Sequence, residues 1–252
     1  MSENTVRAYR ADLEGLYAFI QTYPLTVATV EQFAASYLNQ GRKDWSPKTT
    51  GRKLTTFRSF GAWCKEPLFL YDYKPPTPAK AQPHPIPEGI AGVLRMIERT
   101  RNPLHKALLA LNGLMGLRID ECINITPDCF NLNEMTLKVR GKGDKTRIIP
   151  ISPQAWKYIS SQYVYCTKVE PGRELIPYTN RGARAAVSRH ARNAGLVRHV
   201  ASHDLRATFA TAAYEKNHDL RAVQELLGHA DPKTTMTYTL VSMAAMREAA
   251  NV

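Results

Sequence analysis

A proline-rich segment constrains the fold of this chain more than any other feature of its sequence. Residues 74–87 read KPPTPAKAQPHPIP and contain six prolines. Proline lacks the amide hydrogen that a helix interior or a central strand needs, so prolines this dense predict an extended connection. The sequence therefore predicts two domains, residues 1–74 and 88–252, joined by a linker over residues 75–87.

The residues before the linker predict a purely helical domain. Apolar side chains recur at the spacing of an amphipathic helix near residues 9–20, 30–38 and 47–64. In the third of these helices we expect four apolar side chains to point inward: Leu54, Phe57, Phe60 and Trp63.

The other side of this third helix is predicted to be basic. It carries four cationic side chains, Lys48, Arg52, Lys53 and Arg58. Any one of them alone is best explained as a solvated surface residue. Together, in a small domain tied to a second basic domain, they predict a contact with the DNA backbone about as well as they predict a solvated face.

The second domain is predicted to be mostly helical, with one β-hairpin. Helices are expected near residues 104–116, 153–163, 181–194, 203–216, 219–227 and 232–249. Between the first two, MTLKV and KTRIIPI alternate apolar and polar residues on either side of the glycine-containing turn RGKGD. The expected fold class is mainly α with a small antiparallel sheet (α+β).

Charge and cysteine usage narrow the class of partner. The chain of 252 residues has 34 Lys and Arg against 22 Asp and Glu, a net charge of +12, which favours a polyanion such as nucleic acid. Its four cysteines form no CxxC pair, which favours reduced thiols over disulfides or a zinc ribbon. With apolar runs shorter than a membrane span, no membrane partner is expected, and a cytoplasmic location is predicted.

Four short motifs of the second domain hold polar residues of unusual type and placement. They are GLRIDE with Arg118 and Glu121, GKGDK with Lys142, HDLR with His203 and Arg206, and LLGHADPKTTMTYTLV with His229 and, nine residues later, Tyr238. Taken singly, each residue has an ordinary structural explanation, such as an ion pair, a helix cap or a packed tyrosine.

Together these side chains suit phosphoryl transfer to a tyrosine. Guanidinium groups can bind the non-bridging oxygens of a phosphodiester and stabilise the charge that builds in the transition state. A phenol becomes a nucleophile when a base or a positive field removes its proton, and a lysine or imidazole can protonate the leaving oxygen. This chemistry needs no metal or other cofactor.

The same motifs, in the same order, resemble those of the tyrosine recombinases, the phage-integrase and Xer family. GKGDKTRIIPI resembles the family's catalytic-lysine hairpin, HDLRATFAT its H-x-x-R box, and LLGHADPKTTMTYTLV its histidine and nucleophile box. The first domain resembles the family's helical, SAM-like core-binding module. The resemblance therefore extends over nearly the whole chain.

The resemblance implies a role for each motif residue. Tyr238 is the expected nucleophile, giving a 3′-phosphotyrosyl link without metal or ATP, and Arg118 and Arg206 are expected to hold the phosphate. His203 and His229 are expected to assist, and Glu121 to support the site. Lys142 is the expected general acid, with Lys145 as the alternative.

The resemblance also implies the partners. Double-stranded DNA with core or attachment sites is the expected substrate, bound by a dimer on each site and a tetramer in synapsis. Accessory DNA-bending or directionality proteins are further partners that the resemblance allows. Because the core-binding pattern begins at about Asn4, we expect a compact enzyme without an arm-binding domain.

Two further regions suit this assignment. One predicted helix carries four arginines that favour contact with a DNA groove over a solvated face: Arg181, Arg184, Arg189 and Arg192. On the expected final helix, Leu240, Met243 and Met246 predict docking on a neighbouring protomer, with packing on the same domain as the alternative.

Other functions remain as alternatives. The predicted function is that of an integrase that integrates and excises mobile DNA; the alternatives are an Xer-like enzyme that resolves dimers and a silent DNA-binding protein on the same scaffold. A zinc enzyme built on His199 and His203 is disfavoured because no HExxH motif is present. A type IB topoisomerase would share the tyrosine chemistry, but the small size and the core-binding module favour recombination.

Overall fold

The computed structural model describes residues 3–20, 26–41, 44–77, 84–141 and 145–228. The chain divides into two compact units, Met1–Ala81 and Gln82–Val252. The described elements are helices and one small antiparallel sheet, so the predicted α+β class is confirmed.

Three helices form the first unit. They are α1 (Glu3–Ile20), α2 (Val27–Gly41) and α3 (Pro47–Trp63). The hydroxyl of Ser46 accepts a hydrogen bond from the amide of Thr49 at 3.2 Å, and Pro47 occupies the first turn, which together set the start of α3. Leu38 and Phe57 lie in the core between the helices, where they are fully buried.

A buried carboxylate links α1 to α3 in this unit. Asp12 accepts hydrogen bonds from Lys53 Nζ at 3.0 Å and Thr56 Oγ1 at 3.0 Å, and it is ion-paired with Arg52. The ammonium of Lys53 also lies over the rings of Trp45 and Tyr37. Lys53 is only 9% exposed, so the prediction that it lies on a solvent-facing basic side of α3 is wrong. The negative charge of Asp12 draws it inward instead.

Arg58 is exposed and has backbone partners, and one other expectation for α3 needs correction. Arg58 donates through Nε and Nη2 to the carbonyl of Leu70 at 3.2 and 2.8 Å, and its guanidinium thus holds the chain that follows the helix. Trp63, predicted to point inward, is 79% exposed, and its ring stacks on Phe60 at the last turn. The helix ends at this residue, so the core no longer extends beneath it.

The second unit contains seven helices and three strands in its described part. They are α4 (Gly89–Glu98), α5 (Pro103–Gly113), α6 (Ile119–Cys122), β1 (Phe130–Asn131), β2 (Thr136–Arg140), β3 (Thr146–Pro150), α7 (Pro153–Lys168), α8 (Asn180–Asn193), α9 (Ser202–Asn217) and α10 (Leu220–Leu227). A 3-10 turn, Pro127–Cys129, precedes β1. The strands pair antiparallel in the order β1-β2-β3, with Val139 opposite Arg147.

Helix α5 is the centre of this unit. Its apolar side chains surround the whole helix, as expected for a segment covered on all sides, and residues 107–111 are fully buried. The side chain of Asn102 accepts a hydrogen bond from the amide of Leu104 at 3.0 Å and caps the first turn. Helices α4, α7 and α9 pack against it.

The end of the proline-rich segment packs into the second unit. Ile86 is buried in the core, and its amide donates to Thr208 Oγ1 of α9 at 2.8 Å. Arg198 donates to the carbonyls of His84 and Pro85 and is paired with Asp204 of α9 at 3.1 Å. Residues 84–86 are thus part of this unit, although the sequence pattern placed them in the linker.

Candidate active site

The first site motif forms a sharp bend between α5 and α6. Gly116 adopts a left-handed conformation with φ of 69°, and an added Cβ would meet the ring of Phe209 at 2.4 Å. Two residues later, the backbone amide of Arg118 donates to Glu121 Oε2 at 2.8 Å, and its Nη1 donates to Glu121 Oε1 at 3.0 Å. The bend therefore sets Arg118 at the start of α6, with Glu121 holding both its backbone and its side chain.

Glu121 has a second cationic partner that the sequence motifs did not identify. Arg147 of β3 donates through Nη1 to Oε1 at 3.0 Å and through Nη2 to Oε2 at 2.9 Å. Its position beside the lysine hairpin was visible in the sequence, but nothing there showed that its side chain turns toward α6. The alternation of β3 is the only available signal, since Arg147 points to the opposite side from Ile148.

A third arginine reaches the same carboxylate from α9. Arg206 Nη1 lies 3.7 Å from Glu121 Oε2 and donates to the carbonyl of Gly116 at 2.7 Å, while Nη2 donates to the carbonyl of Leu227 at 2.7 Å. Only 2% of Arg206 is exposed. Such a buried guanidinium is tolerable because a carboxylate and two carbonyls satisfy it.

The charge state of Glu121 follows from these contacts. Burial by itself raises the pKa of the carboxyl group, but hydrogen bonds from Arg147 and from the Arg118 amide, with the charges of Arg147 and Arg206, outweigh burial. The pKa of Glu121 therefore lies below its ordinary value, and the carboxylate is ionised at neutral pH. The adjacent Cys122 is buried and the pKa of its thiol is raised by that burial, so it is a poor nucleophile.

An open cavity of about 430 Å³ lies beside this cluster. Arg118, Arg184, His203 and Arg206 are among the side chains that line it. His203 is exposed at the start of α9, one helical turn before Arg206, as its i,i+3 spacing predicted. The cavity thus brings together residues from α6, α8 and α9, and it includes Arg184, which the sequence had placed only on a DNA-facing helix.

Three predicted catalytic residues, Lys142, His229 and Tyr238, lie outside the described residues, as does the expected helix over 232–249. The chain is described up to Gly141 and again from Lys145. The amide of Gly141 donates to the carbonyl of Lys145 at 2.8 Å and closes the hairpin. Lys145 itself is exposed. Helix α10 ends at Gly228, whose left-handed φ of 64° terminates the helix directly before His229.

Helix α8 presents its arginines to solvent on one side. Ala183, Val187 and Ala191 are buried against the core, so the helix packs on the opposite face. All four predicted DNA-contact residues of this helix are exposed: Arg181, Arg184, Arg189 and Arg192. In the first unit, Lys48 and Arg52 are exposed as well, while Lys53 is not.

Within the described ranges, no group of three or more His, Cys, Asp or Glu residues is placed to hold a metal ion. His199 precedes α9, so it does not share a helical face with His203. None of the helices in this part of the chain has the length and apolar character that a membrane span requires.

Comparison with known proteins identifies the family. The profile of the phage integrase family matches residues 93–245, and that of the phage integrase N-terminal SAM-like domain matches residues 1–66. The chain belongs to the phage integrase family. The resemblance inferred from the sequence motifs is thereby confirmed.

Relatives within the family match along nearly the full chain. Tyrosine recombinase XerD of Staphylococcus haemolyticus is 30% identical over 280 residues, covering 100% of this chain and 92% of that protein. Tyrosine recombinase XerC of Alcanivorax borkumensis is 33% identical over 263 residues, covering 95% of this chain and 84% of that protein.

Two solved structures share the fold of this family member. The XerH site-specific recombinase bound to its difH substrate has a TM-score of 0.75 at 22% identity, covering 98% of this chain and 79% of that one. The Tn1549 transposon integrase in complex with circular intermediate DNA has a TM-score of 0.75 at 17% identity, covering 99% and 94%. At this identity the two structures establish the fold.

Proposed function

We propose that this protein is a site-specific DNA recombinase that breaks and rejoins strands through a covalent link to Tyr238. The enzyme class, DNA strand breakage and rejoining, agrees with that of its tyrosine recombinase relatives. The observation that carries the proposal is the cavity lined by Arg118, His203 and Arg206, whose two arginines are paired with the ionised Glu121.

The cavity suits a phosphodiester. Guanidinium groups bind non-bridging oxygens with two parallel hydrogen bonds, and held rigidly they stabilise the additional charge of a pentacoordinate transition state. Hydrogen bonds to Glu121 and to backbone carbonyls hold the guanidinium groups of Arg118 and Arg206 in fixed positions. His203, exposed at the cavity wall, is placed to donate a hydrogen bond to the same phosphate.

The reaction balances without a cofactor. The phenolic oxygen of Tyr238 attacks phosphorus, the bond to the 5′ oxygen breaks, and a 3′-phosphotyrosyl link and a free 5′-hydroxyl form. The phenol loses its proton and the leaving oxygen gains one, for which Lys142 is the proposed donor, with Lys145 as the alternative and His229 assisting. Attack by another 5′-hydroxyl reverses these steps and joins a new strand.

Double-stranded DNA and further copies of the chain are the proposed partners. The exposed arginines of α8, together with Lys48 and Arg52 on α3, offer positive charge to a phosphate backbone, and such binding should weaken as salt rises. Homologous solved structures include recombinases on DNA and a lambda integrase dimer bound to a core site. A dimer on each site, a tetramer in synapsis and accessory DNA-bending proteins are proposed on this basis.

The biological role has two candidates within this one activity. Integration and excision of mobile DNA is the first, and resolution of dimers is the second, which the XerC and XerD relatives favour. Both would operate on DNA in the cytoplasm. The proposed organisation is a core-binding domain over residues 1–74, a linker that begins at residue 75 and ends before His84, and a catalytic domain that takes in residues 84–86 and continues to residue 252.

Covalent capture tests the proposal. The substrate is a pool of nicked duplexes of randomised sequence, in which cleavage near the nick releases a short strand and traps the protein on DNA. Wild-type protein should give adducts that survive detergent, and Tyr238→Phe should give none while retaining DNA binding. As a matched control, Tyr165→Phe removes an exposed hydroxyl that bonds Glu170 and should leave capture intact. Adducts from Tyr238→Phe would reject Tyr238 as the nucleophile, and sequence-specific binding without any adduct from wild type would favour the silent DNA-binding protein.

A further inference from the structure

Arg147, which the sequence motifs did not identify, links separate parts of the site. Its side chain leaves β3, is largely covered, and makes a bidentate ion pair with Glu121. Its Nε donates in addition to the carbonyl of Leu226 at 3.0 Å. One guanidinium therefore joins the hairpin strand, the carboxylate beside Arg118 and the last turn of α10.

The contact with α10 occurs at the negative end of that helix. The last carbonyls of a helix lack partners within it and carry partial negative charge. Here Arg147 binds the carbonyl of Leu226, and Arg118 and Arg206 bind that of Leu227 at 3.4 and 2.7 Å. Three guanidinium groups thus fix the point from which the chain continues to His229.

The packing at Gly228 shows how closely Arg147 approaches that point. A Cβ placed on Gly228 would lie 2.9 Å from Nη1, 3.0 Å from Cδ and 3.1 Å from Cζ of Arg147. No side chain could occupy this position without displacing the guanidinium. The left-handed φ of 64° at Gly228 gives a second, independent reason for glycine.

The hairpin of β2 and β3 also lies against the ion pair of Glu121 and Arg147. A Cβ placed on Gly141 would lie 3.5 Å from Glu121 Oε1 and 3.7 Å from Nη1 of Arg147. The residue after Gly141 is Lys142. The ion pair of Glu121 and Arg147 therefore abuts the described residues that directly precede both Lys142 and His229.

We infer that Arg147 is a positioning residue of the reaction, which rests on the proposed function given above. Its guanidinium binds Glu121 and the carbonyl of Leu226 at the same time. It therefore fixes the position of Glu121, and through Glu121 that of the Arg118 guanidinium, relative to the end of α10. Arg147 is not among the described residues that line the cavity. Its effect is on geometry, where an error of about 1 Å in the placement of a reacting group lowers a rate on the order of 100-fold.

Two substitutions separate charge from geometry. Arg147→Lys retains the positive charge but cannot make the bidentate pair and the bond to Leu226 together, and Arg147→Met removes the charge as well. Arg173→Gln, which removes one exposed arginine paired only with neighbouring Glu170, is the matched control for net charge.

The first measurement uses the protein alone. Amide hydrogen exchange should accelerate at residues 224–228 in both Arg147 variants, with the amides of α5 as the internal reference for global stability. Arg173→Gln should match wild type. If Arg147→Lys leaves exchange at the end of α10 unchanged, the inference is overturned, whatever the activity of the protein.

The second measurement uses covalent capture from the nicked-duplex pool. Both Arg147 variants should lower the capture rate about 100-fold with DNA affinity changed less than about 3-fold, because the phosphate-binding arginines remain. Wild-type capture rates in Arg147→Lys would overturn the inference. A wild-type protein that captures no DNA would instead overturn the proposed function, and the exchange measurement would still decide the structural role of Arg147.

Discussion

Two buried carboxylates in this molecule have the same kind of surroundings and different consequences. Asp12 in the first unit binds Arg52, Lys53 and a threonine, and it holds α3 against α1. Glu121 in the second unit binds Arg118, Arg147 and Arg206, and two of these arginines line an open cavity. The difference lies in what the cations face once they are paired. Lys53 is covered by aromatic rings and serves the fold, whereas Arg118 keeps 39% of its side chain exposed.

The largest expected effect is at the cavity. Arg118→Ala should lower the rate of covalent capture about 1,000-fold, because one preorganised donor to the phosphate is lost. The unfolding free energy should change little, since Glu121 keeps its bidentate partner Arg147. Single-turnover capture and urea unfolding measure the two quantities. If Arg118→Ala lowers stability but captures DNA at the wild-type rate, Arg118 has a structural role like that of Lys53 and not a catalytic one.

The corresponding change in the first unit should have the opposite profile. Asp12→Asn leaves the ammonium of Lys53 buried without its counter-charge, so the unfolding free energy should fall by about 3 kcal/mol. At temperatures where the variant is still folded, capture chemistry on DNA already bound should be close to wild type. A fall in the capture rate without a fall in stability would show that the Asp12 cluster contributes to the reaction, as the Glu121 cluster is expected to.

A pair of glycine substitutions isolates the contact at the end of α10. Gly228→Ala and Gly195→Ala introduce a Cβ at φ of 64° and 65°, so both should destabilise the protein by about 1 to 2 kcal/mol. A Cβ at Gly195 meets nothing within 4 Å, whereas one at Gly228 displaces Arg147. We expect only Gly228→Ala to slow capture, by about 10-fold or more. Equal capture rates in the two variants would show that displacing Arg147 does not affect the reaction.

A third buried cluster, without any carboxylate, gives the smallest predicted effect. His105 and His190 lie with ring centroids 4.7 Å apart, and the Oη of Tyr178 is 2.8 Å from His105 Nε2. Burial, together with the charges of His105 and Arg189, lowers the pKa of His190 to about 4, and burial also lowers the pKa of His105.

The sign of the pH effect follows from the direction of these shifts. A histidine in the unfolded chain binds protons more tightly than these do, so the folded state should lose stability as pH falls from 6.5 toward 4. His190→Gln should remove about 1 kcal/mol of that loss. Unfolding free energies measured across this range check the prediction, and an unchanged pH slope in the variant would contradict it.

Sequence patterns predicted what depends on neighbours in the chain. The two strands of the hairpin and the placement of His203 and Arg206 on one face of α9 follow from spacing, and both are found in the described structure. The exposure of the α8 arginines was also predicted. By contrast, the burial of Lys53 depends on Asp12, 41 residues away, and the role of Arg147 on Glu121, 26 residues away. Contacts between distant segments leave no periodic signal in a single sequence. The sequence alone therefore does not distinguish a charged side chain that is exposed in the fold from one that is buried in an ion pair.

The anchoring of residues 84–86 has a practical consequence for dissecting this enzyme. The core position of Ile86 and the bonds from Arg198 to His84 and Pro85 make this short stretch an integral part of the second unit. A catalytic fragment that begins at Glu88, directly after the proline-rich segment, would lose the buried Ile86. Arg198 would then lack its two backbone acceptors, and Thr208 would lack the amide that donates to it. Swaps between members of the family should therefore place the junction before His84, where the exchange leaves the α9 contacts intact.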